Sequence, residues 1–407
     1  MIKENKNKKK KWMRSRHRFV RNLLSVTLGP YTSIKYGVKV ERFKDQEKRP
    51  YLILLNHQTA FDQFFVGMAF KGAVYYLASE DIFSNGKVSS LIRYLVNPIP
   101  IKKQTTDVKA IKTCIRVAKE GGTIAIAPEG NRTYSGRTEY MSASIAPLAR
   151  KLGMPIALFR IEGGYGVHPR WSDVVRKGKM KAYVSRVISP EEYATLTDDE
   201  LFGIIERELY VDEAVNDAQF YHKKNAEYLE RAVYVCPFCG LSTFESNKDI
   251  ITCKKCGREI KYLPTKELTG VGFEFPHHFV ADWYDAQADF IKSFDVLKYD
   301  TEPMYSERGG LYEVIPYDKK KLISKDVGFE LYGDRLELQI GAEKTVWRFE
   351  DTSAITVLGK NKLNVYYGDK IYQVKAGKRF NALKYVHIYH RSKNMIKGET
   401  NEQFLGL

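Results

Sequence analysis

The sequence predicts an α/β chain with a substantially parallel sheet, followed by a small cysteine-bearing segment and a mainly β barrel or sandwich that a C-terminal helix closes. Three observations carry that prediction. Between residue 35 and about 190, short apolar runs alternate with stretches of helical period. Four cysteines then arrive as two C-x2-C steps between 236 and 256. Beyond about 305 the period falls to two, with glycine and asparagine between the runs.

In chain order, "YLILLN" reads as a buried strand, "QFFVGMAF" as helix, "AVYYLA" as strand and "VKAIKTCIRVAKEG" as an amphipathic helix. "TIAIAPEG" is a strand entering a loop, "ASIAPLARKLG" a helix and "PIALFRIEG" a further strand. Charged helices are expected at 190–232 and one more at 276–298. "GFELYGDRLELQI", "KTVWRFE", "AITVLGK", "KLNVYYG" and "KIYQVKA" alternate like antiparallel strands, and "NALKYVHIYHRSKN" closes them. The expected division is a basic amphipathic segment at 1–34, an α/β domain at 35–232, a cysteine ribbon at 233–263, a helical linker at 264–304 and a β domain at 305–407.

Charge is uneven. The formal net charge is +17, and residues 1–21 hold ten Lys or Arg against one acid, Glu4. Such a tail seeks phosphate on an anionic membrane or in nucleic acid. Trp12, Phe19, Val20, Leu23, Leu24, Val26 and Leu28 interleave with Arg14, Arg16, Arg18 and Arg21, as an interfacial helix requires, and Gly29-Pro30 is expected to stop it. A tail that is disordered or packed on its own domain is the bland alternative. The longest apolar run, "FFVGMAFKGAVYYLA", is interrupted by Lys71, so no membrane span is expected. Arg21 likewise argues against a signal peptide. Paired cysteines without a disulfide framework suit a reducing compartment, and the expected location is peripheral, on the cytoplasmic face of a membrane.

The chemistry begins at "LILLNHQTAFD", where a buried run delivers His57 and, five residues on, Asp62. Residues five apart on one helix diverge by about 140°. The two therefore pair only if His57 sits in the turn after the strand and Asp62 in the first helical turn, with Thr59 as N-cap. That arrangement also describes an ordinary cap. The spacing recurs at His277 and Asp282, which lack a preceding apolar strand and read as surface helix. What distinguishes the first copy is a second strand end, "TIAIAPEGNRT", carrying Glu129, Gly130 and Arg132, together with the cationic step Lys102-Lys103 after "NPIPI". Ligands of open α/β sheets bind beyond the carboxyl ends of the strands. Arginine there recognises phosphate or carboxylate, and glycine lets a backbone approach.

These residues resemble the glycerolipid acyltransferases, specifically the 1-acylglycerol-3-phosphate (lysophosphatidate) acyltransferase family. "NHQTAFD" is similar to that family's N-H-x-S-x-x-D block, "APEGNRT" to its F-P-E-G-T-R-S block, and "PIPIKK" and "GMPIALFRI" to two further blocks, all within residues 35–190. Ala127, Asn131 and Lys103 replace the usual Phe, Thr and Arg, and "YMSAS" stands where a Phe-Lys-x-Gly step is common. The resemblance implies transfer of a fatty acyl chain from a thioester, acyl-CoA or acyl-ACP, to the hydroxyl of a lysophospholipid. His57 would be general base, Asp62 would fix its tautomer, Lys103 and Arg132 would hold the acceptor's phosphate beside Gly130, and Glu129 would either contact the acceptor or order that loop. Membrane lipids and acyl carrier protein are the implied partners. Cys114, inside a helix, reads as core rather than nucleophile.

Cys236, Cys239, Cys253 and Cys256 are spaced C-x2-C-x13-C-x2-C, each pair followed by glycine. Four thiolates in that pattern predict a closed tetrahedral site, structural zinc, with rubredoxin-like iron as the alternative. The β texture resembles a pleckstrin-homology-type domain. Two rival functions remain: a nucleic-acid binder using tail and ribbon, and a non-catalytic lipid-binding scaffold, against which the intact His57 and Asp62 argue.

Overall fold

The computed structural model describes residues 11–44, 49–101, 107–214 and 218–398. Its first half is built on a seven-stranded sheet of β1 (Val38–Val40), β2 (Leu52–Leu55), β3 (Val74–Ser79), β4 (Ile99–Ile101), β5 (Thr123–Ile126), β6 (Ile156–Glu162) and β7 (Met180–Ile188). The order is β1-β7-β6-β2-β5-β3-β4, and every pairing is parallel except β6 with β7. Strands β2 and β5 are buried along their whole length, as expected of apolar runs covered on both faces. The helices α1 (Ser15–Tyr36), α2 (Asp62–Ala69), α3 (Lys87–Leu95), α4 (Val108–Lys119), α5 (Ile145–Leu152), α6 (Gly164–Val167), α7 (Pro190–Ala194) and α8 (Asp198–Leu209) connect and cover them. Helix α4 starts where Asp107 accepts the Lys109 and Ala110 amides, both at 3.0 Å. Cys114 is buried inside α4, and burial pushes its thiol up to about 12, which suits a core residue.

The register fixes the site. Leu54 of β2 lies opposite Ile126 of β5. Three residues further along each parallel strand come His57 and Glu129, so the two emerge at one height on one edge. Asn56 holds the neighbouring strand there: its Nδ2 donates to Ile161 O and its Oδ1 accepts from Ile161 N, each at 2.8 Å.

Helix α1 departs from expectation. It does not stop at Gly29-Pro30 but runs to Tyr36, where Gly37 caps it at φ +61. Pro30 removes one N–H and crowds the carbonyl four residues back, and packing outweighs that cost here. Gly29 lies against Met68 of α2, and Thr32 Oγ1 bonds the Leu28 and Gly29 carbonyls. Arg21 turns inward to the Gly67 and Phe70 carbonyls at the end of α2, where a cation is favoured. Phe19, Leu23 and Val26 face out, 68%, 51% and 75% exposed. Val88, Leu91 and Tyr94 of α3 are exposed as well, and Arg16 bridges the two helices through Tyr94 O.

The second half holds β8 (Val235–Cys236) paired with β9 (Gly240–Leu241), and a four-stranded antiparallel sheet of β10 (Phe244–Asn247), β11 (Ile250–Cys253), β12 (Glu259–Tyr262) and β13 (Leu268–Gly270). Helix α9 (Val280–Ser293) follows. Then come β14 (Tyr305–Glu313), β15 (Lys321–Leu331), β16 (Arg335–Ile340), β17 (Glu343–Arg348), β18 (Thr352–Leu358), β19 (Lys362–Tyr367) and β20 (Lys370–Ala376), in the order β17-β16-β15-β14-β20-β19-β18, all antiparallel. Helix α10 (Leu383–Lys397) closes them as expected, with Tyr389 reaching Thr352 O.

Two expectations need correcting. Helix α9 is no surface helix: Val280, Ala281, Trp283, Tyr284, Gln287 and Ile291 are buried, and Trp283 Nε1 donates to Val235 O at 2.7 Å. Helix is also missing from 210–232, apart from one short turn at Leu229–Arg231, among the described residues. Ala226, Leu229 and Ala232 of that stretch join the core of the second half. One apolar cluster includes Tyr134, Tyr165 and Trp171 from the first half, the cysteine segment and the β strands.

Candidate active site

His57 stands in the turn after β2, and its Nδ1 lies 2.7 Å from Asp62 Oδ2. A carboxylate only accepts, so this bond places the proton on Nδ1 and leaves Nε2 with its lone pair. Asp62 is 2% exposed, whereas the His57 ring is 27% exposed and open to a reactant. Asp62 is held by three further donors: the Gln58 amide, the Thr59 amide and the Thr59 hydroxyl, at 2.7–3.1 Å. The cap of α2 is Phe61 rather than Thr59; the Thr59 hydroxyl accepts the Phe61 amide while donating to Asp62. Asp62 therefore opens the helix and orients the histidine with one side chain.

Glu129 is buried beside this pair. Its Oε1 accepts the His57 amide at 2.7 Å, and its Oε2 accepts the Glu139 amide at 2.9 Å. Both oxygens are committed to backbone, so the side chain ties the two strand-end loops together. Burial pushes its carboxyl up to about 8, against the two amides that favour the charged form. Gly130 turns the loop at φ +69, and its amide bonds Ala127 O. Thr133 N closes on His57 O at 3.3 Å.

Arg132 is 8% exposed, and its Nη1 is buried with no protein partner. Burial lowers its affinity for its proton, Arg170 lowers it further, and Asp62 acts in the opposite direction, giving about 10. The guanidinium thus lies within electrostatic reach of Asp62. Lys103 lies outside the described residues. Of the six residues singled out for catalysis or substrate, five meet at one edge of the sheet.

The four cysteine sulfurs lie within 4.8 Å of one another, Cys236 to Cys256 at 3.8 Å and Cys239 to Cys253 at 3.6 Å. A tetrahedral zinc with Zn–S of about 2.3 Å sets its sulfurs about 3.8 Å apart, so this donor set fits that ion. Gly240 and Gly257, which follow the two pairs, stand at φ +74 and +72, the left-handed turn each knuckle needs.

Residues 37–161 match the family model described as Acyltransferase. Over 190 residues the chain is 25% identical to the 1-acyl-sn-glycerol-3-phosphate acyltransferase of Bacillus subtilis (strain 168), a match covering 45% of this chain and 88% of that protein. Residues 37–161 thus form an acyltransferase domain, similar to that of 1-acyl-sn-glycerol-3-phosphate acyltransferases. The chain is an acyltransferase. A second relative, the chloroplastic 1-acyl-sn-glycerol-3-phosphate acyltransferase BAT2 of Brassica napus, is 20% identical over 198 residues, 46% of this chain and 55% of that protein. The crystal structure of the 1-acyl-sn-glycerophosphate (LPA) acyltransferase PlsC of Thermotoga maritima aligns at 22% identity and a TM-score of 0.40, over 48% of this chain and 80% of that one.

Sequence reasoning missed Arg170, His168 and Glu139. Arg170 is 2% exposed and bonds Arg132 O at 2.9 Å, thirty-eight residues away. "HPRW" has no spacing motif to announce it. Only the fold brings it under the Glu129–Arg132 loop.

Proposed function

We propose that this acyltransferase moves a fatty acyl chain from acyl-CoA or acyl-ACP to the free hydroxyl of 1-acylglycerol-3-phosphate. The observation that carries the proposal is the 2.7 Å bond from His57 Nδ1 to buried Asp62, beside an arginine with an unpartnered nitrogen. In this reading His57 Nε2 takes the proton as the acceptor oxygen attacks the thioester carbonyl, and Asp62 stabilises the imidazolium. The imidazolium then returns the proton as the thiolate leaves. Glu129 and Gly130 shape the loop that presents Arg132, which holds the acceptor's phosphate; Lys103 joins it on sequence grounds.

The chain works at a membrane surface in the same reading, as a peripheral protein on the cytoplasmic face. No helix among the described residues is long and apolar enough to cross a membrane. The outward stripe of Phe19, Leu23 and Val26, flanked by Arg14, Arg16 and Arg18, suits anionic lipid. We assign zinc to the four cysteines in a structural role. Their closed thiolate set and their place in the shared core support it. The strand order and closing helix of 305–407 support the pleckstrin-homology-type reading, with 233–263 as ribbon and 264–304 as linker.

The test is acyl transfer by the purified full chain. Offered acyl-CoA or acyl-ACP and a panel of lysolipids, it is expected to acylate lysophosphatidate fastest. Absence of transfer to any lysolipid contradicts the proposal.

A further inference from the structure

The tip of the β18–β19 hairpin, Gly359 and Lys360, reaches the active-site loops of the first half. Arg170 fastens it there. Its guanidinium donates to Arg132 O at 2.9 Å on one side and to Gly359 O at 2.9 Å and Val357 O at 3.3 Å on the other. It also stacks 4.2 Å over the Tyr134 ring, and Tyr134 OH in turn donates to Lys360 O at 3.1 Å. One buried arginine thus sets the hairpin tip against the backbone of Arg132.

The hairpin brings a charge with it. Lys360 Nζ lies 3.1 Å from Asp173 and is 26% exposed at its side chain. Asp173 already accepts Arg231 at 2.8 and 3.3 Å, so two cations share one carboxylate. His168 is 7% exposed, and its Nδ1 is buried without a protein partner. Its ring lies 5.9 Å from that of Tyr36, which lies 4.9 Å from that of Phe61, the residue before Asp62. After burial, Lys360 and then Arg132 are the strongest influences disfavouring a proton on His168. Arg132, Lys360 and His168 therefore lie within electrostatic reach of one another, with two buried nitrogens unsatisfied. Buried donors beside uncompensated positive charge are costly until an anion arrives.

We propose that the Gly359–Lys360 turn completes the pocket for the acceptor's phosphomonoester, with Lys360 Nζ and the His168 ring joining Arg132. The proposal rests on the acyltransferase reading with a phosphorylated acceptor. It gives the β region a direct part in substrate selection, since the first half alone cannot supply Lys360. Neutral His168 donates one N–H to a phosphate oxygen, and Lys360 turns from Asp173 toward it while Asp173 keeps Arg231.

Steady-state kinetics of the full chain test this, with lysophosphatidate and acyl-CoA varied in turn. Lys360→Ala and His168→Asn are each expected to raise KM for lysophosphatidate about tenfold, with kcat and KM for acyl-CoA within about twofold of wild type. Lys360→Arg should recover most of the affinity. Asp173→Asn, which frees Lys360, should leave that KM unchanged or lower it. A purely structural hairpin predicts instead that Lys360→Ala and Asp173→Asn lose thermal stability and kcat together. Unchanged KM for lysophosphatidate in both Lys360→Ala and His168→Asn, with wild type active, overturns this inference alone. A rise confined to KM for acyl-CoA overturns it too, by assigning the pocket to the donor's phosphates. Failure of wild type to use lysophosphatidate overturns the functional reading and the pocket with it.

Discussion

Two histidines in this chain are followed, five residues later, by an aspartate in the first turn of a helix, and the two places have been put to different uses. At α2, Asp62 reaches back to His57 Nδ1 at 2.7 Å while capping the turn. At α9, Asp282 also caps, accepting the Phe279 amide at 2.9 Å, but its other oxygen takes Arg137 at 2.9 Å, and His277 stands edge-on to Phe275. The cap is common to both. The difference lies in what precedes the helix: a buried strand end fixes His57, with Glu129 gripping its amide, whereas His277 lies on a loop. Spacing proposes a pair, and the backbone carrying the histidine disposes of it.

Among the groups that support the histidine, the largest expected effect is at the carboxylate of the first copy. Asp62→Asn keeps the size but takes away the charge, so the imidazole loses its fixed tautomer, and kcat should fall by about 10²–10³. The purified variant's single-turnover rate checks this. A smaller loss is expected of Glu129→Gln, because an amide cannot accept both backbone N–H groups. About 0.5–1.5 kcal/mol of hydrogen bonding goes, and with it the setting of His57. That variant has a second, pH-dependent signature. The native carboxyl titrates near 8 rather than at its ordinary 4.5, so the folded state binds more protons between those values. This group's contribution is full below the lower value and is lost as pH rises through the upper. Thermal melts from pH 5 to 8 should show a decline in wild type that Glu129→Gln lacks.

Metal removal probes the other half. Chelation is expected to unfold the cysteine segment and, through the shared core at Val235 and Trp283, to lower the melting temperature of the β region as well. Differential scanning calorimetry with and without chelator measures it. The smallest effect is expected at the surface. Val26→Glu on α1 should weaken sedimentation with anionic vesicles severalfold while leaving the melt unchanged, since Val26 is 75% exposed.

The parts of this molecule that could be read in advance are those whose cause is local. Strands β2 and β5 declare themselves by unbroken apolar runs, the cysteine knuckles by their glycines, and His57 by its place at a strand end. What could not be read depends on contacts far apart in the chain. Pro30 looked like a stop because the packing of Gly29 on Met68 is invisible in the local sequence. Helix α9 looked like surface because its apolar positions match β8 and the β strands only in three dimensions. Glu129 reads in the sequence either as a contact for the acceptor or as a support of its loop, and its two amide partners are visible only in the fold. Arg170 and Lys360 carry no local pattern, and the five-residue step from His168 to Asp173 misleads, since Asp173 takes Arg231 and Lys360 instead.

The central claim is that the first copy is catalytic and the second is not, so the most direct measurement compares them in one assay. Acyl transfer to lysophosphatidate is followed for wild type, His57→Ala and His277→Ala, each verified as folded by its melt. The account predicts that His57→Ala loses about 10²–10⁴ in kcat while His277→Ala stays within about twofold. A His57→Ala enzyme with its rate intact, or equal losses at the two histidines, contradicts it.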